Sequence, residues 1–277
     1  MTQTRRPKLA TPAGACDTHM HFYDTAAPSA PGALMPGDYT LPMYRALQER
    51  LGLDRVIVVQ PNAYRYDNQV TLDAVAALPG TAKAVVVVRA DAADAELERL
   101  TRAGAVAQRF FNLKNGTVPL AEMDAIMARV HTFGWHANIQ LDGRDLPKFE
   151  AQITRLPGRF VIDHVGKFLE PVPPDHVAFK SLLRLLDTGR CWVKLSAAYE
   201  TSKRGAPLYE DVGALAKVLV KAAPERMLWA SNWPHPQEPR DALPDDADLL
   251  DVLLEWAPDE SVRRKILADN PAELYGF

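Results

Sequence analysis

Several absences narrow this sequence before any motif is read. Its 277 residues contain two cysteines, Cys16 and Cys191, and neither lies in a Cys-x-x-Cys or similar pattern. Two buried thiols in a reduced, cytoplasmic setting are therefore expected, not a disulfide framework. No apolar run approaches the roughly 20 residues that cross a bilayer, so no membrane partner is expected. There is no basic excess either. The 32 Lys and Arg stand against 35 Asp and Glu, a formal net charge of -3, which gives no footprint for nucleic acid. Residues 1–14 are basic and contain proline, but lack the apolar stretch of a secretory signal, and read as a flexible tail. No low-complexity or Pro/Gly-rich linker divides residues 15–277, which are expected to form one domain.

What is present is an alternation. Short apolar runs at residues 15–21, 55–60, 83–88, 107–110, 135–141, 160–164, 191–196 and 227–231 read as strands. Val56-Ile57-Val58-Val59 and Val85-Val86-Val87-Val88 are continuous, as strands buried on both faces in a parallel sheet are. Between and after them, residues 44–51, 68–78, 93–103, 120–133, 176–186, 208–222, 248–256 and 261–267 carry helical spacing. Strictly alternating units favour a closed barrel or a doubly wound sheet. No Gly-x-Gly-x-x-Gly follows the first strand, so the dinucleotide-binding sheet is unsupported. Polar residues cluster at the strand ends, which favours a single (β/α)8 TIM barrel with its site at the C-terminal ends.

At those ends the residues are chemical. Asp17, His19 and His21 lie two apart and should share one face, aimed into the barrel mouth. Two imidazoles on an inward face are costly to bury without a polar purpose. His164 ends strand six. Lys194 and Ser196 share a face of strand seven. Arg109 lies on strand four, Gln60 on strand two and Gln140 on strand five, and Asn232 follows strand eight. Asn62, Tyr64, Tyr199 and further polar loop residues (Tyr23, Arg65, Lys114, Lys203) lie where they can line the mouth for an anionic ligand. His136 begins strand five and should face the barrel bottom.

Seven stretches carry a resemblance over almost the whole chain. They are Cys16-Asp17-Thr18-His19-Met20-His21, Val58-Val59-Gln60-Pro61, Arg109-Phe110, Ile162-Asp163-His164-Val165-Gly166, Trp192-Val193-Lys194, Trp229-Ala230-Ser231-Asn232-Trp233-Pro234-His235-Pro236 and Asn270-Pro271-Ala272-Glu273-Leu274-Tyr275. With them the chain resembles the amidohydrolase superfamily, in the branch that includes 2-pyrone-4,6-dicarboxylate lactonase and galactarolactone isomerase. Metal-dependent relatives place a carbamylated Lys or a Glu on strand four, histidines on strands five and six and an Asp on strand eight. Here those strands offer Arg109, Gln140 and Asn232 instead, apart from His164. A neutral amide neither balances a dication nor takes a proton as a carboxylate does, and an adjacent Arg opposes a metal. The expectation is catalysis without cofactor, with zinc at His19, His21 and His164 left open. The arginines that a pyrone dicarboxylate would need near strands four and seven are replaced by Asn115 and, approximately, Glu200.

The resemblance thus implies an isomerase that converts D-galactaro-1,5-lactone to the 1,4-lactone by intramolecular acyl transfer. The expected catalytic residues are His19, His21, His164, Lys194 and Asn232. The expected substrate-binding residues are Gln60, Arg109, Gln140, Ser196, Tyr199, Asn62 and Tyr64, with one of the histidines as the base. The partner is a small anionic lactone, and the chain is a monomer or small homo-oligomer. The alternatives are a lactonase acting on a sugar lactone or a pyrone-like lactone, and a non-catalytic barrel that binds a sugar acid.

Overall fold

The computed structural model describes residues 5–277. The four residues before them, the start of the expected tail, lie outside the described residues. Eight strands form one parallel sheet in sequential order: β1 (Cys16–Met20), β2 (Arg55–Val59), β3 (Ala82–Val86), β4 (Ala105–Asn112), β5 (His136–Leu141), β6 (Phe160–Ile162), β7 (Cys191–Leu195) and β8 (Met227–Trp229). Thr18 Oγ1 donates to the Trp229 carbonyl at 2.9 Å, and Asn232 N donates to the His19 carbonyl at 2.8 Å, so β8 meets β1. The chain is a single-domain (β/α)8 barrel.

The continuous apolar runs divide by parity. Ile57 and Val59 join Cys16, Val85, Ala107, Val161, Trp192 and Leu228 in one buried cluster within the barrel. Val56 and Val58 join the larger cluster between strands and helices. Each such side chain, fully buried, stabilises the fold by about 1.5–3 kcal/mol. Leu274 and Tyr275 close the inner cluster from below, with Phe277 packed against it. His136 lies at this bottom end, its ring 5.5 Å from that of Tyr275.

Around the barrel run α1 (Leu41–Leu51), α2 (Gln69–Ala76), α3 (Asp94–Arg102), α4 (Met123–Val130), α5 (Leu146–Arg155), α6 (Val177–Asp187) and α7 (Glu210–Ala222). The chain closes with α8 (Asp246–Asp251), α9 (Leu253–Trp256), α10 (Glu260–Arg264) and α11 (Asn270–Tyr275). The periodicity reading omits α5, which carries Pro147 in its first turn, where the missing N–H has no helical partner to lose. Several strands stop short of their apolar pattern. After β6, His164 and Val165 both have φ of 55°, and after β8, Asn232 has φ of 59°, so the ladder ends where the backbone turns the site residues inward. The lead-in to β1 is tied down over its described part. Asp251 accepts from Arg5 Nη1 and from the backbone N–H groups of Lys8 and Leu9, and Leu9 is buried.

Candidate active site

The alternation expected along β1 is interrupted. A register shift falls between Asp17 and Met20, and it separates Asp17 from the histidines. Asp17 accepts from Tyr44 Oη on α1 and from Ser231 N and Oγ, so it braces the β1–β8 seam and does not face the mouth. Burial pushes its carboxyl up to about 6, against four donors that favour the ionised form. His19 and His21 do turn inward, with their Nε2 atoms 3.3 Å apart.

The bonds fix the tautomers of this pair. His21 Nδ1 lies 2.7 Å from the Val59 carbonyl, which can only accept, so the His21 proton is on Nδ1. His21 Nε2 is then an acceptor, and His19 Nε2 carries the proton between them. His19 Nδ1 is left with a lone pair, 3.1 Å from Lys194 Nζ. The same ammonium donates to Asn138 Oδ1 at 2.7 Å and pairs with Asp163 Oδ1 at 3.1 Å. Its three protons thus have three acceptors. Asn138 Nδ2 completes the ring by donating to Asp163 Oδ2 at 2.8 Å. Lys194, His19, Asn138 and Asp163 are all fully buried.

This ring bears on metal binding. His19, Asp163 and His164 each offer a ligand atom within 4.8 Å of the others, so the trio is a possible metal site by spacing. As bonded, it does not fit a dication. Lys194 already neutralises Asp163, and the proton on His19 Nε2 blocks the atom that would pair with His21 around an ion. Burial raises the Asp163 carboxyl, but Lys194, His164 and Arg109 outweigh it and hold it below its ordinary value.

Above the ring is a cavity of about 350 Å³, lined by His21, Arg109, Gln140, His164, Lys167 and Asn232 among others. A second chamber of about 580 Å³ shares His21, Arg109, Phe111 and Lys114 with it and extends to Asn62 and Arg65. Arg109 donates to the Gln60 carbonyl at 2.6 Å and to Gln140 Oε1 at 3.1 Å, with its guanidinium 5.0 Å from the Phe111 ring centre. Burial lowers the guanidinium's proton affinity, and Asp163 supports it.

Four expected binding residues, Gln60, Tyr64, Ser196 and Tyr199, line neither chamber. Gln60 spends its amide on the carbonyls of Arg65 and Asp67 and accepts from Thr71, so it shapes its own loop and meets the site only through its carbonyl. Tyr64 exchanges hydrogen bonds with the backbone of Asp24 and ties the loop after β2 to that after β1. Asn62 accepts from Thr117 at the rim of the outer chamber. Ser196 is bonded to His164 Nδ1 at 2.8 Å and acts behind that ring.

Asn232 lines the cavity with its amide fixed. Its Nδ2 donates to Tyr199 Oη at 2.8 Å and to Glu200 Oε1 at 3.1 Å. Tyr199 Oη is 2.9 Å from His235 Nδ1, and His235 Nε2 is 3.0 Å from Asp246 Oδ1. Glu200 also pairs with Lys167. Burial pulls the Lys167 ammonium down to about 7. Lys167, Asn138, His235 and Asp246 are the groups that sequence reasoning left without a role, and Tyr199, expected to bind substrate, is instead bonded to Asn232 and His235. The available signal was Lys167's place three residues beyond His164, and His235 within the quoted Trp-Pro-His-Pro segment.

The comparisons show the family. A family model described as amidohydrolase matches residues 16–277. D-galactarolactone isomerase of Agrobacterium fabrum (strain C58 / ATCC 33970) is 40% identical over 273 residues, covering 97% of this chain and 93% of that protein. 4-Sulfomuconolactone hydrolase of Hydrogenophaga intermedia is 34% identical over 276 residues, covering 97% and 91%. An apo crystal structure of an Agrobacterium tumefaciens protein superposes with a TM-score of 0.95 at 39% identity, covering 100% of this chain and 99% of that one.

Proposed function

This chain belongs to the amidohydrolase family, and from that premise we propose that it is a lactone isomerase that converts D-galactaro-1,5-lactone, or a close aldaro-1,5-lactone, to the 1,4-lactone without a metal. The observation that carries this reading is the pairing of a neutral, oriented amide, Asn232, with imidazoles and cations around one cavity. Hydrolysis needs a water primed by a base or a metal. Ring isomerisation needs no water, because the attacking hydroxyl is part of the substrate. An internal nucleophile held beside its target reaches effective molarities on the order of 10^5 M or more.

In this reading the substrate C4 hydroxyl adds to the lactone carbonyl, C1. The new C1–O4 bond forms, the C1–O5 bond breaks, and the proton lost by O4 ends on O5. No water is consumed. His164 Nε2, which has no hydrogen-bond partner among the described residues, accepts and returns that proton, while Ser196 holds Nδ1. Lys167, which lines the cavity, stabilises the oxyanion, while His19, fully buried beneath the cavity, gives its Nε2 proton to His21 at 3.3 Å and holds that cavity-lining ring. Lys194 is buried beneath His19 and acts through it. Arg109 takes the distal carboxylate with the donors that Gln60 and Gln140 leave free, and Lys167 adds positive charge. The buried, unpaired Cys16 and Cys191 suit a reducing cytoplasm.

The test is to give the protein D-galactaro-1,5-lactone in the presence of a chelator and follow ring size by proton NMR. The 1,4-lactone is the expected first product, at a rate the chelator does not change. Open-chain acid as first product would replace the reading with hydrolysis. Equal conversion by the wild type and His19→Ala would leave only a binding barrel.

A further inference from the structure

Resting on the isomerase reading, we infer that Glu200 and Tyr199 are positioning residues that reserve position 232 for a neutral amide and so direct the site to rearrange a lactone instead of hydrating it. The argument begins with what each neighbour can do. An ionised carboxylate only accepts, so the atom of Asn232 that faces Glu200 Oε1 at 3.1 Å must be the amide nitrogen. Its second proton goes to Tyr199 Oη at 2.8 Å.

Tyr199 is set in turn. Asp246 Oδ1 accepts from His235 Nε2, so His235 Nδ1 carries a lone pair and takes the Tyr199 proton. Arg50 lies 3.6 Å from the other oxygen of Asp246. The chain therefore runs in one direction, from Asn232 through Tyr199 and His235 to Asp246, and leaves Tyr199 Oη only an acceptor for residue 232. Both donors of the amide are used, and its Oδ1, which meets no donor among the described residues, is the atom available to a substrate hydroxyl.

An aspartate at 232 would meet both acceptors with a carboxylate. Two carboxylates about 3 Å apart do not both ionise. The charged groups around this point are Glu200 and Lys167, with Arg109 and Glu238 on the same cavity wall, and Tyr199, His235, His21 and His164 are the other titratable neighbours. Glu200 is thus the group that keeps residue 232 from serving as a base toward water. Asparagine and aspartate both tolerate the φ of 59° at this position, so the exchange is compatible with the backbone.

The test is a double-mutant cycle of Asn232→Asp and Glu200→Gln. Its first readout needs no substrate. Asn232→Asp alone is expected to lower the melting temperature by about 3 °C or more, and Glu200→Gln in the same chain to restore part of that loss. The second readout is the ratio of open-chain acid to 1,4-lactone by NMR. The double variant is expected to give about tenfold more acid than Asn232→Asp alone. Tyr199→Phe, which keeps the ring but not its oxygen, is expected to lower kcat for isomerisation with little change in KM. Additive melting shifts, or equal acid release with and without Glu200, would overturn the inference. A wild type that never isomerises the lactone would instead overturn the functional reading, and the melting cycle would still decide whether Glu200 governs position 232.

Discussion

Burial decides the charge of the imidazoles. His19 and His164 are held well below the ordinary histidine value, first by desolvation and then by neighbouring positive charge, and His21 is pushed down to about 3. A lowered value means that the neutral ring persists to lower pH. A base that is neutral throughout gives no protonation step near 6.5, and Lys167, pulled down to about 7, gains charge as the pH falls, so kcat/KM is expected not to drop from pH 8 down to about 6. A pH–rate profile that falls with a midpoint near 6.5 would contradict the burial argument. At this scale the sequence showed the residue types and hid their partners. The spacing of Asp17, His19 and His21 implied one shared face, because strict alternation has no way to announce a register shift. Gln60 was placed on strand two, which ends one residue before it, and Tyr64 in the loop beyond, and both side chains turn to nearby backbone groups.

At the scale of elements, apolar runs located all eight strands, because a strand buried on both faces needs a nearly unbroken apolar sequence. Their ends were less legible. β6 and β8 stop early where His164 and Asn232 take positive φ, a backbone choice that hydrophobicity does not encode. The last element has a function that its sequence position conceals. Asn270 begins α11 and its Nδ2 donates to the carbonyls of Pro224 and Met227, each at 2.8 Å, while Leu274 and Tyr275 seal the barrel beneath. Asn270 is buried, so Asn270→Ala would strand two carbonyls without water. A loss of about 1–3 kcal/mol in denaturant melts is expected, with an unchanged product ratio. A stability change within error would show that α11 holds by apolar packing alone.

Across the whole molecule, the centre of the site is a meeting of distant segments. Lys194 touches His19 across 175 residues and Asn138 across 56, and only closure of the barrel brings them together. The fold class was legible in the alternation of runs, whereas this hub was not, since no local pattern links β1, β5, β6 and β7. The hub also determines how the barrel treats cations. Lys194 occupies the acceptors of His19 and Asp163, and in doing so puts the His19 proton on Nε2. Lys194→Met would remove that constraint. Asp163 would be left as a buried, uncompensated carboxylate, at a cost of about 3–5 kcal/mol. His19 would be free to place its proton on Nδ1, 3.4 Å from Asp163 Oδ1, and to offer Nε2 beside that of His21. A divalent ion then gains two imidazoles and an unneutralised acid nearby. Lys194→Met is therefore expected to lose isomerase turnover and to melt at a higher temperature when Zn2+ is added, while the wild type does not respond. Equal stabilisation of both proteins by zinc would show that the lysine is not what keeps the metal out.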